Sequence, residues 1–114
     1  MIVALHSVLR EGAEADYELD HQRIPADLEA SFARLGIHEW SIWRSGRNLF
    51  HLVDCVDWLG AMKALEDDPA NLAWQAHIGR HVEYFIGEEG GAAGQVLPLV
   101  YSLQAQRAAD RVSG

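Results

Sequence analysis

The sequence has little of several features that mark particular classes of protein. Cys55 is its single cysteine, which excludes an intrachain disulfide framework and fits a reducing compartment. Nine basic residues stand against seventeen acidic ones, and the formal charge of −8 argues against nucleic acid or an anionic membrane surface as a partner. No apolar run approaches the roughly 20 residues of a membrane span. The opening residues lack the pattern of a signal peptide, so we expect a soluble, cytoplasmic protein.

The sequence also gives little support for a phosphate-binding loop or for a metal site. The glycines of residues 87–94 (GEEGGAAG) have neither the strand–loop–helix setting nor the lysine of a phosphate-binding loop. His77 and His81 have the i, i+4 spacing that can hold one metal ion on a helix face. The residues between them lack the glutamate of a zinc protease motif and include Arg80, which disfavours a nearby cation. We therefore predict that the protein has no metal site.

The chain has the size and the apolar content of one small domain. Its 114 residues, 49% of them hydrophobic, suffice for a single core. We expect residues 1–104 to form that domain and residues 105–114 to form a polar, frayed tail.

Periodicity and turn signals predict an alternation of strands and helices. The predicted order is a strand over 1–10, a helix over 12–35 broken near Ile24, a hairpin of 37–44 with 49–55, a helix over 58–65, a helix from Asp68-Pro69 to Phe85, a loop over 87–94, and an edge strand over 96–103. This order, βαββαβ, is the ferredoxin-like pattern of the α+β class. Both helices on one side would leave the other sheet face bare, and a second copy is the simplest cover. We therefore predict a homodimer whose two sheets pack into an α/β barrel.

Tyr17 and His21 are the candidate chemical groups of the first helix. Four residues apart, they lie on one face, which Ile24 and Leu28 continue as an apolar stripe. A titratable ring held against an apolar wall beside a hydroxyl group suits proton transfer. The alternative is that His21 is a structural histidine, and spacing alone does not decide between the two.

Four tryptophans in so short a chain are the second candidate feature: Trp40, Trp43, Trp58 and Trp74. Such rings build cores, and they also pack against the C–H face of a pyranose in sugar sites. Strand alternation puts Trp40 and Trp43 on opposite faces, and the sequence does not reveal which of the two points inward.

In its motifs and their order, the chain resembles the L-rhamnose mutarotase family from Val3 to about Phe85. The matching pieces are the tyrosine four residues before a histidine (Tyr17, His21), Asp27-Leu28-Glu29, Gly36-Ile37-His38-Glu39-Trp40, Arg47-Asn48-Leu49-Phe50 and the second-helix Trp74. The resemblance implies an isomerase that interconverts the α and β anomers of a 6-deoxy-L-hexose. It also implies that His21 transfers the proton and that Tyr17, Trp40 and Trp74 shape the sugar pocket. A group with a pKa near 6.5 can act as both base and acid at neutral pH, so we expect no cofactor.

Three departures from the family pattern lie beside this implied pocket. Pro25-Ala26 stands where the family has Trp-Pro, Trp40 where tyrosine is common, and Gln75 where an aromatic residue often follows the tryptophan. Gln75 could donate a hydrogen bond to a sugar hydroxyl or could simply be solvated. L-Fucose or another sugar therefore remains open as the substrate. A non-catalytic ligand-binding barrel, and an oxygenase or cyclase of the same barrel superfamily, are the alternatives of other classes.

Overall fold

A computed structural model describes residues 1–86 and 96–113 of the chain. The elements follow in the order β1 (Ile2–Leu9), α1 (Glu14–Asp20), α2 (Ala26–Arg34), β2 (Ile37–Ser45), β3 (Asn48–Cys55), α3 (Trp58–Leu65), α4 (Pro69–Ile78), a 3-10 turn (Gly79–His81), β4 (Val82–Phe85) and α5 (Leu103–Ser113). None of the helices in these two ranges is long and apolar enough to cross a membrane.

The four strands form one antiparallel sheet in the order β2-β3-β1-β4. β2 and β3 form the predicted hairpin, and Gly46 allows its tight turn by adopting a φ of +59°. The central strand pair β1·β3 runs in continuous register from Ile2 opposite Asp54 to Val8 opposite Asn48. The predicted α+β, ferredoxin-like βαββαβ class is confirmed.

Alternation along the strands divides the sheet into a buried and an open face. Odd-numbered residues of β1 and β3 face the helices and build the core, with Leu5, Leu9, Leu49 and Val53 each at most 1% exposed. The other face carries large apolar side chains without cover from the described residues. We call it the open face; it comprises Ile2, Trp43, Phe50, Leu52 and Tyr84, which are 41–61% exposed.

The last helix and the last strand of the predicted domain were misplaced. α4 begins at Pro69 behind the Asp68 cap, as predicted, but it ends at Ile78, and residues 82–85 pair with β1 as β4. Trp74, Ile78 and Phe85 fall on one stripe at helical spacing, so the sequence predicted one long helix. They share this spacing because α4 and β4 both turn apolar residues toward the same core. Residues 96–102 form no strand, although the backbone N–H of Leu97 donates to the Ala4 carbonyl at 2.9 Å.

The C-terminal segment also differs from its prediction. Residues 103–113 form α5, an amphipathic helix, where we expected a frayed tail beyond Gln104. Its described side chains, from Leu103 to Val112, are all exposed. The predicted loop over 87–94 lies outside the described residues. The division into a domain of residues 1–104 and a tail of 105–114 stays a prediction.

Candidate active site

A cavity of about 740 Å³ lies between the sheet and the helices. Its volume is in the range usual for small-molecule sites. Four of the residues singled out in the sequence line it: His21, Trp40, Trp74 and Gln75. They come from the end of α1, from β2 and from α4, so the fold brings together side chains up to 54 positions apart in the sequence.

His21 follows the last residue of α1, and a hydrogen bond to the preceding helical turn fixes the state of its ring. The ring Nδ1 lies 3.0 Å from the Tyr17 carbonyl oxygen. A carbonyl only accepts, so Nδ1 must carry the proton that it donates. In the neutral imidazole the proton-free nitrogen is then Nε2, which has no hydrogen-bond partner among residues 1–86 and 96–113. The ring therefore offers a lone pair and lines the cavity.

Burial tunes the protonation of His21. Desolvation lowers the pKa of the imidazole below its ordinary value, because the charged form loses water. The hydrogen bond to the Tyr17 carbonyl and the negative charge of Asp20 act in the opposite direction and limit the fall. The neutral, proton-accepting form thus predominates at neutral pH.

Tyr17 is buried and packs against the His21 ring. The two rings stack with centroids 4.1 Å apart, as the i, i+4 spacing predicted. The tyrosine is only 5% exposed, packs with Leu9, Leu49 and Ile78, and does not line the cavity. Burial raises the pKa of its phenol, so Tyr17 stays neutral. In this structure it touches the histidine and not the space in which a ligand would lie.

Trp74 supplies the wall on the other side of the histidine. Its ring meets the His21 ring edge to face, with centroids 5.2 Å apart and planes at 78°. Gln75, the next residue, is exposed at the cavity and its amide lies 3.5 Å from the Asn71 side-chain oxygen. The Gln75 amide is therefore only weakly held and can reach for a ligand.

Trp40, and not Trp43, points inward. Trp43 lies on the open face and is 58% exposed. Trp40 packs against the core, stacks on Phe32 with centroids 5.8 Å apart, and lines the cavity. Its indole N–H donates to Nδ1 of His51 at 3.2 Å. The sequence raised both orientations, and β3 decides between them by placing Val53 and His51 opposite Trp40 and Ile42.

An ionic cluster that the sequence did not single out holds the end of α1. The Asp20 carboxylate accepts from Nε2 of His81 at 2.8 Å, and it lies 3.2 Å from Nε2 of His77 and 3.5 Å from the Arg80 guanidinium. The hydrogen bond from His81 is the largest cause of a lowered Asp20 pKa. This cluster ties the residue before His21 to the segment that follows α4. The contact between positions 20 and 81 is long-range, and no spacing pattern in the sequence indicates it.

His77 and His81, whose spacing could hold a metal ion, both contact the Asp20 carboxylate. His81 lies in the 3-10 turn beyond the end of α4, and the Nε2 atoms of both histidines lie within 3.2 Å of one oxygen of the Asp20 carboxylate. Within residues 1–86 and 96–113, no three histidine, cysteine or acidic side chains are arranged so as to hold a metal ion.

The mouth of the cavity is polar and acidic. Exposed carboxylates of Glu29, Glu39 and Glu66 line it together with His38 and Asn71. None of the described residues that line the cavity is a lysine or an arginine. These side chains come from four separate elements or turns, and only the fold reveals that they share one rim.

Comparison with known proteins agrees with this architecture. A crystal structure of an L-rhamnose mutarotase from Formosa agariphila superposes with a TM-score of 0.72 at 15% identity, over 90% of this chain and 98% of that one. The tetracenomycin F2 cyclase of Streptomyces glaucescens reaches 0.58 at 12% identity, over 90% and 95%. An uncharacterized NIPSNAP domain protein from Burkholderia xenovorans reaches 0.56 at 14% identity, over 90% and 96%. At these identities the likeness concerns the fold.

The sequence itself decides the family. No curated protein matches the chain. The family profile described as L-rhamnose mutarotase matches residues 2–103, which is nearly the whole chain and includes every residue discussed above as part of the site. The chain belongs to the L-rhamnose mutarotase family, a family of carbohydrate isomerases.

Proposed function

We propose that this protein interconverts the α and β anomers of L-rhamnose or a related 6-deoxy-L-hexose, with His21 as the proton-transfer residue. The observation that carries the proposal is the state of His21. Its Nδ1–H is engaged by the Tyr17 carbonyl and its ring lines the cavity, so Nε2 is free to accept a proton there. Family membership supports a sugar as the substrate.

The chemistry requires one proton to move between two oxygens on the same carbon. Nε2 of His21 accepts the proton of the anomeric hydroxyl O1. The electron pair of the C1–O5 bond moves to the ring oxygen O5, which takes the proton back from Nε2, and the C1=O1 double bond forms. Rotation about C1–C2 and the reverse steps close the ring with the opposite configuration. Such acid–base assistance contributes about 10²- to 10⁴-fold.

The rest of the cavity suits an uncharged polyol. Trp74 offers a flat apolar surface next to His21, and the Gln75 and Asn71 side chains offer amide groups for sugar hydroxyls. The carboxylates of Glu29, Glu39 and Glu66 accept hydrogen bonds from hydroxyls and repel anions. We therefore expect neutral sugars to bind in preference to sugar phosphates or uronic acids.

The test is saturation-transfer NMR on equilibrated L-rhamnose, L-fucose and D-glucose, with and without the protein. Faster exchange between the anomeric protons of one 6-deoxysugar supports the reaction and identifies the preferred sugar. A folded protein that accelerates none of them contradicts the enzymatic proposal. Ligand-observed NMR on the same samples then tests the remaining class, a non-catalytic sugar-binding barrel.

We also propose that the protein is a homodimer whose open faces pack against each other. Five large apolar residues on one sheet face, each 41–61% exposed, form a patch that a second copy can bury. Leu52 lies in its centre, opposite Ala4 and Ser41.

Light scattering tests the dimer and should give twice the chain mass for the wild type and one chain mass for Leu52→Asp. The matched control is Leu59→Asp on α3, which is 80% exposed on the helical side and should stay dimeric. A monomeric wild type would contradict the proposal.

For the location we propose the cytoplasm. Cys55 is a buried free thiol, which is compatible with a reducing compartment. Fractionation of cells that produce the protein tests this, and recovery outside the cytoplasm would contradict it.

A further inference from the structure

Three polar side chains on three adjacent strands form a buried chain of hydrogen bonds beneath the cavity. Ser7 of β1 is fully buried, and its Oγ lies 2.9 Å from Nε2 of His51 on β3. The other ring nitrogen of His51, Nδ1, lies 3.2 Å from the indole Nε1 of Trp40 on β2. His51 is 6% exposed and, unlike Trp40, does not line the cavity. Buried polar groups of this kind persist when each finds a partner, and here each does.

The donors and acceptors of this chain have one consistent assignment. An indole N–H can only donate, so Nδ1 of His51 must accept from Trp40. The imidazole proton is then on Nε2, which donates to the Ser7 hydroxyl oxygen. Burial lowers the pKa of His51 to about 4, so the neutral ring and this direction of bonding hold at neutral pH.

This assignment determines what Trp40 can offer to a ligand. Its single donor is engaged by His51, on the side away from the cavity. Phe32 stacks on the indole with planes 18° apart, and the buried Trp58 lies 5.8 Å from it, centroid to centroid. The indole therefore borders the cavity with carbon atoms only. The neighbouring inner wall is apolar as well, since Leu5, Ile37, Met62 and Leu65 line it.

We propose that His51, held by Ser7, is a specificity-determining positioning residue that turns the Trp40 N–H away from the cavity and so matches the inner wall to a C–H group of the sugar. This proposal rests on the proposed function and deepens it. A hydroxyl placed against the wall would lose its water without gaining a partner. The protein should therefore prefer a sugar with a methyl group at C6 to the same sugar with a hydroxymethyl group. An apolar pocket discriminates against an added hydroxyl by about 10- to 100-fold.

Matched sugar pairs and matched variants test the proposal. The pairs are L-rhamnose with L-mannose and L-fucose with L-galactose, which differ only in the oxygen at C6. His51→Phe keeps a ring but accepts no hydrogen bond, so the indole N–H is released. We expect its preference for the 6-deoxysugar to fall by about 5-fold or more, through KM rather than kcat. His51→Gln can accept from Trp40 through its oxygen and donate to Ser7 through its nitrogen, so it should restore most of the preference.

A second measurement, exchange of the Trp40 indole N–H with water, does not require that any sugar be turned over. The indole N–H signal of Trp40, assigned by its loss in Trp40→Phe, should exchange slowly with water in the wild type and in His51→Gln, and quickly in His51→Phe. If His51→Phe does not fold, His51→Leu, whose side chain likewise accepts no hydrogen bond, is compared with His51→Gln by the same two readouts, and the same loss of preference and fast exchange are expected.

The outcomes separate this proposal from the proposed function. A preference that is unchanged when the Trp40 N–H has become fast-exchanging would overturn the role of His51. An indole N–H that already exchanges quickly in the wild type would overturn it as well. If no sugar is turned over at all, the proposed function fails, and the binding preference between the paired sugars, measured by ligand-observed NMR, still decides whether His51 sets specificity.

Discussion

The carbonyl oxygen of Tyr17 accepts two hydrogen bonds from His21, one from the backbone N–H at 3.1 Å and one from the ring Nδ1–H at 3.0 Å. A carbonyl oxygen has two lone pairs, so one oxygen can accept both bonds. The bond from the ring holds the imidazole proton on Nδ1. The tautomer that leaves Nε2 free is thus fixed by the contact of His21 with the residue four positions before it.

Sequence reasoning reached part of this site. Spacing of four residues predicted the stacking of Tyr17 on His21, because that geometry is local to one helix turn. The role of Asp20 was not predictable, since its partners His77 and His81 are brought near by the packing of α1 on the 3-10 turn. Nor was the buried bond from Trp40 to His51, which requires the register of β2 on β3.

Replacement of the histidine is the most direct prediction at this scale. His21→Ala removes Nε2, so anomeric exchange should slow by about 10²-fold or more. The fold should survive, because His21 lies at a partly exposed helix end. Saturation-transfer NMR measures the rate and circular dichroism the fold. Gln22→Ala, which truncates the exposed next residue, serves as the control and should keep the wild-type rate. Undiminished exchange in His21→Ala would remove His21 from the mechanism.

The charge of Asp20 should show in the pH dependence of the rate. The groups around the His21 ring are the neutral Tyr17 and Trp74, the Asp20 carboxylate, which raises its pKa, and His81, which lowers it. Asp20→Asn keeps an acceptor for His81 but removes the charge, so the His21 pKa should fall further. The acid limb of the rate profile, where protonation of His21 stops catalysis, should then move to lower pH. Asp16→Asn on the same helix is the control, and an unmoved limb in Asp20→Asn would contradict the coupling.

The positions at which helices begin are the features of secondary structure that the sequence predicted best. Both Asp57 before α3 and Asp68 before α4 accept from a backbone N–H three residues on, at 3.2 and 3.1 Å. These signals are local, so no tertiary information was needed. The end of α4 was missed because the chain leaves the helix at Gly79 without a change in its apolar spacing. The alternative, pairing of residues 82–85 with the β1 edge, is a long-range contact.

Asp57 and Asp68 both cap helices, but they should contribute unequally to the free energy of unfolding. Their alanine variants therefore form a matched pair. Asp57 is exposed and caps α3 through one bond, so Asp57→Ala should lower the free energy of unfolding by about 1 kcal/mol. Asp68 is 7% exposed and also accepts from Ser31 at 2.8 Å and from Arg34 at 2.9 Å. Asp68→Ala leaves the buried Ser31 without its partner, and its effect in urea unfolding should be at least twice as large. Equal losses would show that the bridge from α2 to α4 adds nothing.

At the scale of the whole molecule, the open face and α5 are parts that residues 1–86 and 96–113 of one chain leave uncovered. The predicted βαββαβ order indicated a bare sheet face, because both helices then lie on the same side of the sheet. The sequence predicted the wrong element for the C-terminus, since Val96 to Leu103 is rich in β-forming residues and α5 follows where a tail was expected. The nearly full exposure of Leu99 and Val100, at 82% and 95%, adds to the apolar surface available to a second copy.

The buried His51 makes the stability of the whole fold sensitive to mild acid. Its pKa is about 4 in the folded protein and 6.5 in a solvated chain, so the unfolded state binds the proton first as the pH falls. Stability should therefore decline from about pH 6.5 to pH 4, by up to about 3 kcal/mol for this residue. Urea unfolding at intervals across that window measures the slope. His51→Phe has no such proton to bind and should show a clearly shallower decline, whereas His38→Gln, which removes an exposed histidine, should keep the wild-type slope. An equally steep decline in His51→Phe would mean that His51 is not the group that titrates.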